Sequence, residues 1–509
     1  MNPYDDFPYD DFPFPETHPA HLGALGALLG LAPAPPGRCR VLELGCGLGG
    51  NLIGMGAALP GSAFVGVDAS ARQVEAARAE VAALGLRNVE IRAMDILDVD
   101  GRLGRFDYVV CHGVYSWVPE AVREKILWIC RALLAPHGVA YLSYNTLPGW
   151  RLRGTLREML LREVPAAGSP AERAAAARGF LAFLGSARAE GGARGWLGEE
   201  LDLLGQMSDR YLFHEHFAEE NRALWFKDFA TAAARAGLQY LGDAHLPAMM
   251  PDRLGPEAAA AVAKRSGGLL ETEQLLDELE LRCFRRSLVC HREATVDRTL
   301  SWGRLRGLWL RSALDPVSEA PDVQSEAPES FAVGGGAELT TAVPRLKAAL
   351  VLMAERYPEA VRFEEVCARA AEMTAAAGER EEARLAKNLL GLVTRGQIEI
   401  DAGARGCVRT AGARPATTAL ARREAAAGRE GCTSLLHRKI AVDAFDRALL
   451  SRMDGTRTRE ALVAGVAEEI TAGRLEVAVD GAPRGEPEVL LEISEQKLRR
   501  LGRAGLLVG

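Results

Sequence analysis

VLELGCGLGGN (Val41–Asn51) decides how this chain folds. A short apolar run delivers the backbone to a turn. There Gly45, Gly47 and Gly49 allow a close approach to a ligand and excursions to positive φ. The helix that opens beyond them offers unpaired N–H groups. Outward from this motif, strand-like and helical patterns alternate. A helix spans Gly49 to Leu59. AFVGVD (Ala63–Asp68) is β-rich, and Ser70 is placed as N-cap of a helix to Leu84. NVEIRAMD, FDYVVCHG, a helix from Glu120 to Leu134 and GVAYLSYNT follow. Five strand-like runs with helical crossovers imply an α/β fold with a parallel, doubly wound sheet.

Beyond Trp150 the pattern changes. Residues 151–225 read as Ala- and Arg-rich helices. LQYLGDA (Leu238–Ala244) and CFRRSLVCH (Cys283–His291) then read as strands. The expectation is that the sheet resumes there, so that a core of residues 36–150 and 226–295 is interrupted by a helical insertion at 151–225. Residues 1–35 form an N-terminal segment, with one buried helix over the apolar run Leu22–Ala32. Residues 315–338, rich in Pro, Ser, Glu and Gly, read as a linker. Residues 339–509 combine helices with a hairpin around Asp480-Gly481, which suggests winged-helix-like modules.

The glycine run also matches G-x-G-x-x-G, which alone is a weak signal for a dinucleotide. Two further residues discriminate. Glu43 precedes the first glycine by two places, where an acid would face the phosphates of a dinucleotide but suits a ligand with an ammonium and a sulfonium. Asp68, ending the next strand, can take both hydroxyls of a ribose. Asp95 is placed to meet an adenine amino group, with Met94 and Ile96 on the ring. Three acids at successive strand ends fit S-adenosylmethionine (SAM). The cofactor-facing set is Thr17, His18, Glu43, Gly45, Cys46, Gly47, Gly49, Asn51, Asp68, Ala69, Met94, Asp95, Ile96, His112 and Gly113. Thr17 is read as a helix N-cap, with Pro19 just inside the start.

The net charge of −7 argues against a general nucleic-acid binder. Nine scattered cysteines, none in a C-x-x-C pair, signal neither zinc nor a disulfide framework, and a reducing cytoplasm fits. No segment reads as a membrane span. His214-Glu215-His216 places its histidines at i, i+2, on different faces of a helix, so no metal is expected. One histidine should face the cleft and the other solvent.

PFPETHP (Pro13–Pro19), VLELGCGLGGN, HGVYSWVP (His112–Pro119), YNTLPGW (Tyr144–Trp150), YLFHEHF (Tyr211–Phe217), FRRSLVCH (Phe284–His291) and SLLHRKIAVDAFDRALLSRMDGTR (Ser434–Arg457) carry a resemblance. The chain resembles class I SAM-dependent methyltransferases with a methyltransferase regulatory domain, a group that includes the rickettsial-type protein lysine methyltransferases. That resemblance implies a Rossmann-like core, a helical middle domain and a winged-helix-like C-terminal region. Tyr115, Trp117 and Tyr144 are candidates for an aromatic wall beside the transferred methyl, Asn145 for orienting an acceptor amine, and His112 or His214 for a base toward a hydroxyl or carboxyl acceptor. A lysine acceptor leads. A small molecule or peptide product as acceptor, or a SAM-binding scaffold, is the alternative. The oligomeric state stays open, a dimer included.

The leader departs from the family in repeating YDDFP (Tyr4–Pro8, Tyr9–Pro13). Tyr9 to His18 is expected to cross the mouth of the SAM crevice. Deleting residues 1–18 should weaken SAM binding or turnover without unfolding the core. Unaltered activity would make the stretch a tail.

Overall fold

A computed structural model describes residues 7–8, 11–186, 194–332, 338–374, 378–476, 478–479, 482–483 and 486–509. Seven strands form the central sheet: β1 (Arg40–Leu44), β2 (Ala63–Asp68), β3 (Val89–Ala93), β4 (Phe106–Cys111), β5 (Leu134–Asn145), β6 (Leu238–Asp243) and β7 (Phe284–His291). Their order is β3-β2-β1-β4-β5-β7-β6. β1 to β5 pair in parallel, whereas β7 runs antiparallel to both β5 and β6. β6 and β7 thus share a sheet with β1–β5, although four helices between Gly149 and Phe217 separate them in sequence.

Side chains alternate across a sheet, and each face builds its own core. Val41, Tyr108, Tyr141 and Leu288 meet the helices Gly50–Ala58 and Ala71–Ala83 on one face. Leu42, Val109, Leu142, Tyr144 and Val289 meet the helices Glu120–Leu133 and Phe226–Arg235 on the other. The four middle helices (Gly149–Glu163, Pro170–Ser186, Arg194–Gln206 and Asp209–Phe217) bury a small core of their own, including Leu156, Leu160 and Leu212.

The first face continues into the C-terminal half. Helices Pro344–Arg356, Phe363–Thr374 and Glu379–Thr394 share its apolar cluster. They stand beside a three-stranded antiparallel sheet of Trp309–Arg311, Val361–Arg362 and Glu399–Asp401. The N-terminal helix, Pro19–Leu28 and not Leu22–Ala32, lies between that sheet and the central one, and Ala402 N–H donates to Ala20 O at 2.8 Å. Four more helices, with the ladders Gly431–Thr433/Lys439–Ala441 and Ala478–Val479/Ala482–Pro483, enclose a separate core. The turn Asp480-Gly481 lies outside the described residues.

The stretch 315–338 is not a free linker. Asp315–Pro316, Glu329–Ala332 and Glu338–Thr341 form a small sheet, Phe331 is fully buried, and Lys347 Nζ donates to the carbonyls of Ser325 and Ala327 at 2.9 and 2.8 Å. Polar composition hid one apolar anchor and a set of backbone acceptors.

Arg285 on β7 is fully buried. It meets Asp277 at 2.7 Å and Glu273 at 2.9 Å, and lies 4.0 Å from the centre of the Phe226 ring. It thereby fixes the helix Leu269–Glu280 to the sheet. Removing the cation would leave the buried Glu273 carboxylate uncompensated and Asp277 with Arg282 alone, at 3.2 Å. Arg285→Met is expected to destabilise the protein by about 3–5 kcal/mol in denaturant unfolding. Adding Asp277→Asn and Glu273→Gln should recover part of that loss.

Candidate active site

The glycine loop is closed across the end of β2: Gly45 and Cys46 N–H both donate to Val67 O, at 2.8 and 3.1 Å. Gly49, at φ 84°, caps the helix Gly50–Ala58, a conformation few side chains tolerate. Asp68 stands at the strand end. Its Oδ2 accepts from Gly47 N–H at 2.8 Å and its Oδ1 from Ser70 N–H at 2.9 Å. The same carboxylate thus shapes the glycine loop and stands at the strand end where a ribose would lie. Asp95 is exposed and caps the short turn Ile96–Asp98, accepting from Leu97 N–H at 2.8 Å. Met94 and Ile96, half-buried beside it, lean on the core, and Ala69 and Gly113 are exposed.

The opening stretch comes to this loop. Asp11 Oδ1 accepts from Gly50 N–H at 2.6 Å, at the positive end of a helix. Burial raises the Asp11 pKa, and the Gly50 hydrogen bond opposes the shift. Phe14 lies over His112, ring centres 3.7 Å apart. Asn51 joins these parts. Its Oδ1 accepts from Phe14 N–H at 2.9 Å and from His437 Nε2–H at 2.7 Å, with the Thr17 hydroxyl 3.1 Å away. Its Nδ2 donates to Glu43 Oε1 at 2.7 Å.

Thr17 is not the helix cap. His18 takes that position, its Nδ1 accepting from Ala20 N–H at 3.1 Å. The Thr17 hydroxyl is occupied by Phe14 O, at 2.8 Å, and by Asn51, so it closes the segment onto the loop instead.

Two buried polar atoms here have no partner: Glu43 Oε2 and His18 Nε2. One is an acceptor. The other is a donor, because His18 Nδ1 already accepts. Buried polar groups are rarely left unsatisfied. This pair matches the ammonium and carboxylate at the amino-acid end of SAM, so the residues present fit the cofactor. Burial pushes the Glu43 carboxyl up to about 8, against the Asn51 hydrogen bond, with Asp11 and Asp68 adding to the rise.

The expected aromatic wall is different from the one observed. Tyr115 and Tyr144 are core residues on the opposite face, packed with Phe229 at 5.6 and 4.4 Å between ring centres, and Tyr144 Oη pairs with Ser287 Oγ at 2.9 Å. Alternation along β5 sends Leu142 and Tyr144 there, and gives Tyr141 and Ser143 to the His112 side. Phe12, Phe14 and Phe284 gather near His112 in their place. Trp117 is half-buried and stands edge-on to Trp150. Asn145 is buried and turns its Nδ2 toward Asn221 Oδ1, 3.4 Å away.

His214 and His216 are both buried, so neither faces solvent. His214 Nε2 meets Phe7 O. Phe7, in the first YDDFP copy, also packs edge-on to Phe213. Burial lowers the pKa of His214, and brings His216 and His112 down to about 4. Among the described residues, no three His, Cys, Asp or Glu side chains converge as metal ligands would. None of the described helices is long and apolar enough to cross a membrane. Sequence reasoning missed Asp11, Phe284 and His437, although all three lie in stretches that carried the resemblance or the leader repeat.

Comparison with known proteins agrees with this fold. Residues 42–140 match a methyltransferase domain, 208–291 a predicted methyltransferase regulatory domain, and 413–503 the PKMT C-terminal winged helix domain. The uncharacterized protein RP789 of Rickettsia prowazekii is 32% identical over 489 residues, which cover 94% of this chain and 88% of that protein. PKMT2 from Rickettsia typhi, solved alone and in complex with AdoHcy, is 30% identical. It superposes with TM-scores of 0.89 and 0.90 over 99% of this chain and 100% of its own. Fold and site together define a SAM-dependent methyltransferase. The chain belongs to the rickettsial-type family of protein lysine methyltransferase-like proteins, in which a methyltransferase core is joined to a regulatory domain and a PKMT winged helix.

A carboxyl with a raised pKa ionises only above it, so an ammonium that binds Glu43 near pH 7 must displace a proton. Affinity for SAM is expected to climb roughly tenfold per pH unit from pH 6 toward 8. It should fall again as the ligand's own amine, with a reference pKa of about 7.7–8.0, loses its charge. Calorimetry in buffers of different ionisation enthalpy reads the released proton. Glu43→Gln should remove both the proton and the acid limb; a variant that keeps them would refute the assignment.

Proposed function

We propose that this enzyme methylates the side-chain amine of lysine in a protein acceptor. The full-length likeness to PKMT2 carries the reading, because it extends beyond the methyltransferase core to a winged helix characteristic of PKMT. SAM supplies a methyl group on a sulfonium, and its transfer is an in-line displacement at carbon in which positioning does much of the work.

The chemistry of the crevice agrees. A lysine with a reference pKa of ~10.4 must lose its proton before it attacks, which costs roughly 4.6 kcal/mol at pH 7. Apolar surroundings lower that cost by disfavouring the ammonium, and Phe12, Phe14 and Phe284 supply such a lining. Asn145, with its Nδ2 turned to Asn221, keeps Oδ1 to accept from the amine. His112, at about 4, is a weak base. Weak bases suit an acceptor that arrives neutral better than a hydroxyl that must be deprotonated in place. All nine cysteines are free thiols, which agrees with a cytoplasmic enzyme.

The test is transfer of labelled methyl from SAM into a bacterial lysate, followed by acid hydrolysis and amino-acid analysis. Methyl-lysine is the expected product. Label confined to the small-molecule fraction would exclude protein lysine, and Asp68→Ala should abolish labelling of either kind.

A further inference from the structure

We infer that His437, carried by the C-terminal winged-helix region, is a positioning residue of the SAM site. It holds the Asn51 amide in the orientation that serves Glu43. His437 lies in the loop between Gly431–Thr433 and Lys439–Ala441. Its backbone sits at φ 59°, uncommon for a side chain other than glycine. Two local hydrogen bonds hold it there: its own N–H to Ser434 O, and Ser434 N–H to Arg438 O, both at 2.9 Å. The imidazole is buried, and its Nε2–H donates to Asn51 Oδ1 at 2.7 Å, across 386 residues. The bare Cα of Gly54 admits it. A Cβ at that position would lie 3.1 Å from His437 Cε1 and 3.3 Å from Thr433 Cγ2.

An asparagine amide can turn over and exchange its donor and acceptor. Donors gathered on Oδ1 fix the orientation in which Nδ2 faces Glu43 Oε1, and so leave Glu43 Oε2 for the ligand. His437 is the donor that comes from the far end of the chain. Its neighbours anchor the same loop: Arg438 pairs with Glu399, and Lys439 Nζ stands 4.7 Å from the centre of the Phe12 ring. Three consecutive residues thus touch the glycine-loop helix, the first C-terminal sheet and the leader.

The experiment uses the full chain. His437→Ala should raise the Kd and KM for SAM roughly tenfold, the order of one lost buried hydrogen bond, with the acceptor KM unchanged. His437→Gln, whose Nε2 can donate to the same oxygen, should recover most of the loss. A His437→Ala protein that binds SAM as the wild type does would overturn the inference. So would equal losses in Ala and Gln variants that track only their thermal stability. Should His437→Ala fail to fold, Gly54→Ala gives a second reading: the added methyl displaces the ring and should raise the SAM KM, and an unchanged value would count against the role. Wild-type SAM binding in the same titration separates failure of this inference from failure of the methyltransferase assignment.

Discussion

One side-chain amide, that of Asn51, joins four parts of the chain: the leader through Phe14 and Thr17, β1 through Glu43, the glycine-loop helix that carries it, and the C-terminal region through His437. An amide oxygen has two lone pairs, and three donors lie within reach of this one. The Thr17 hydroxyl can spend its single proton on Phe14 O instead, which resolves the surplus. A buried network of this kind is worth having only when every member is satisfied. The Asn51 amide thus ties the leader and the C-terminal loop to the glycine loop.

The helix Pro19–Leu28 makes that docking possible. It is apolar all round except at His21, whose Nε2 pairs with Ala244 O at 2.8 Å, as suits a helix enclosed on most sides. Gly23 faces the Tyr108 hydroxyl on one side and Ala402 on the other, and Tyr108 Oη donates to Ala34 O at 2.6 Å. The N-terminal helix is thus a shared wall of the methyltransferase sheet and the first C-terminal module. Asp401, next to Ala402, is buried between Arg311 and Arg405, at 3.1 and 2.7 Å. Burial, and after it the positive charge of Arg405, lowers the pKa of His18. A neutral His18 retains one donor nitrogen, Nε2, and that is the atom left without a partner.

What could be read from the sequence was what the chain builds locally. The glycine loop, Asp68 and the alternation of strand and helix need only neighbours in sequence, and the strand-like runs after the middle helices do form part of the same sheet. Tyr144 faces away from the crevice because successive residues on β5 point to opposite sides, and Tyr115, in the turn after β4, packs with it against Phe229. Thr17 lost its expected cap to the next residue, because its hydroxyl found a long-range partner. Asp11 and His437 were out of reach because their partners, Gly50 and Asn51, are 39 and 386 residues away. The repeat in the leader has a use for each copy: Phe7 packs on the middle helices, and Asp11 and Phe12 reach the glycine loop and its surroundings.

The charges around the loop follow one rule. Glu43, Asp11 and Asp68 converge there; burial, with the charges of Asp11 and Asp68 adding to it, raises Glu43 above the usual carboxylate range, and burial also raises Asp11. Such a cluster is costly by itself and is relieved by positive charge. SAM brings an ammonium and a sulfonium against one carboxylate, a net charge of plus one. After methyl transfer the sulfonium has become a neutral thioether. Carboxylates at such a site would attract the cationic ligand more strongly than its product, so the same repulsion that recruits the cofactor would favour release of what remains of it.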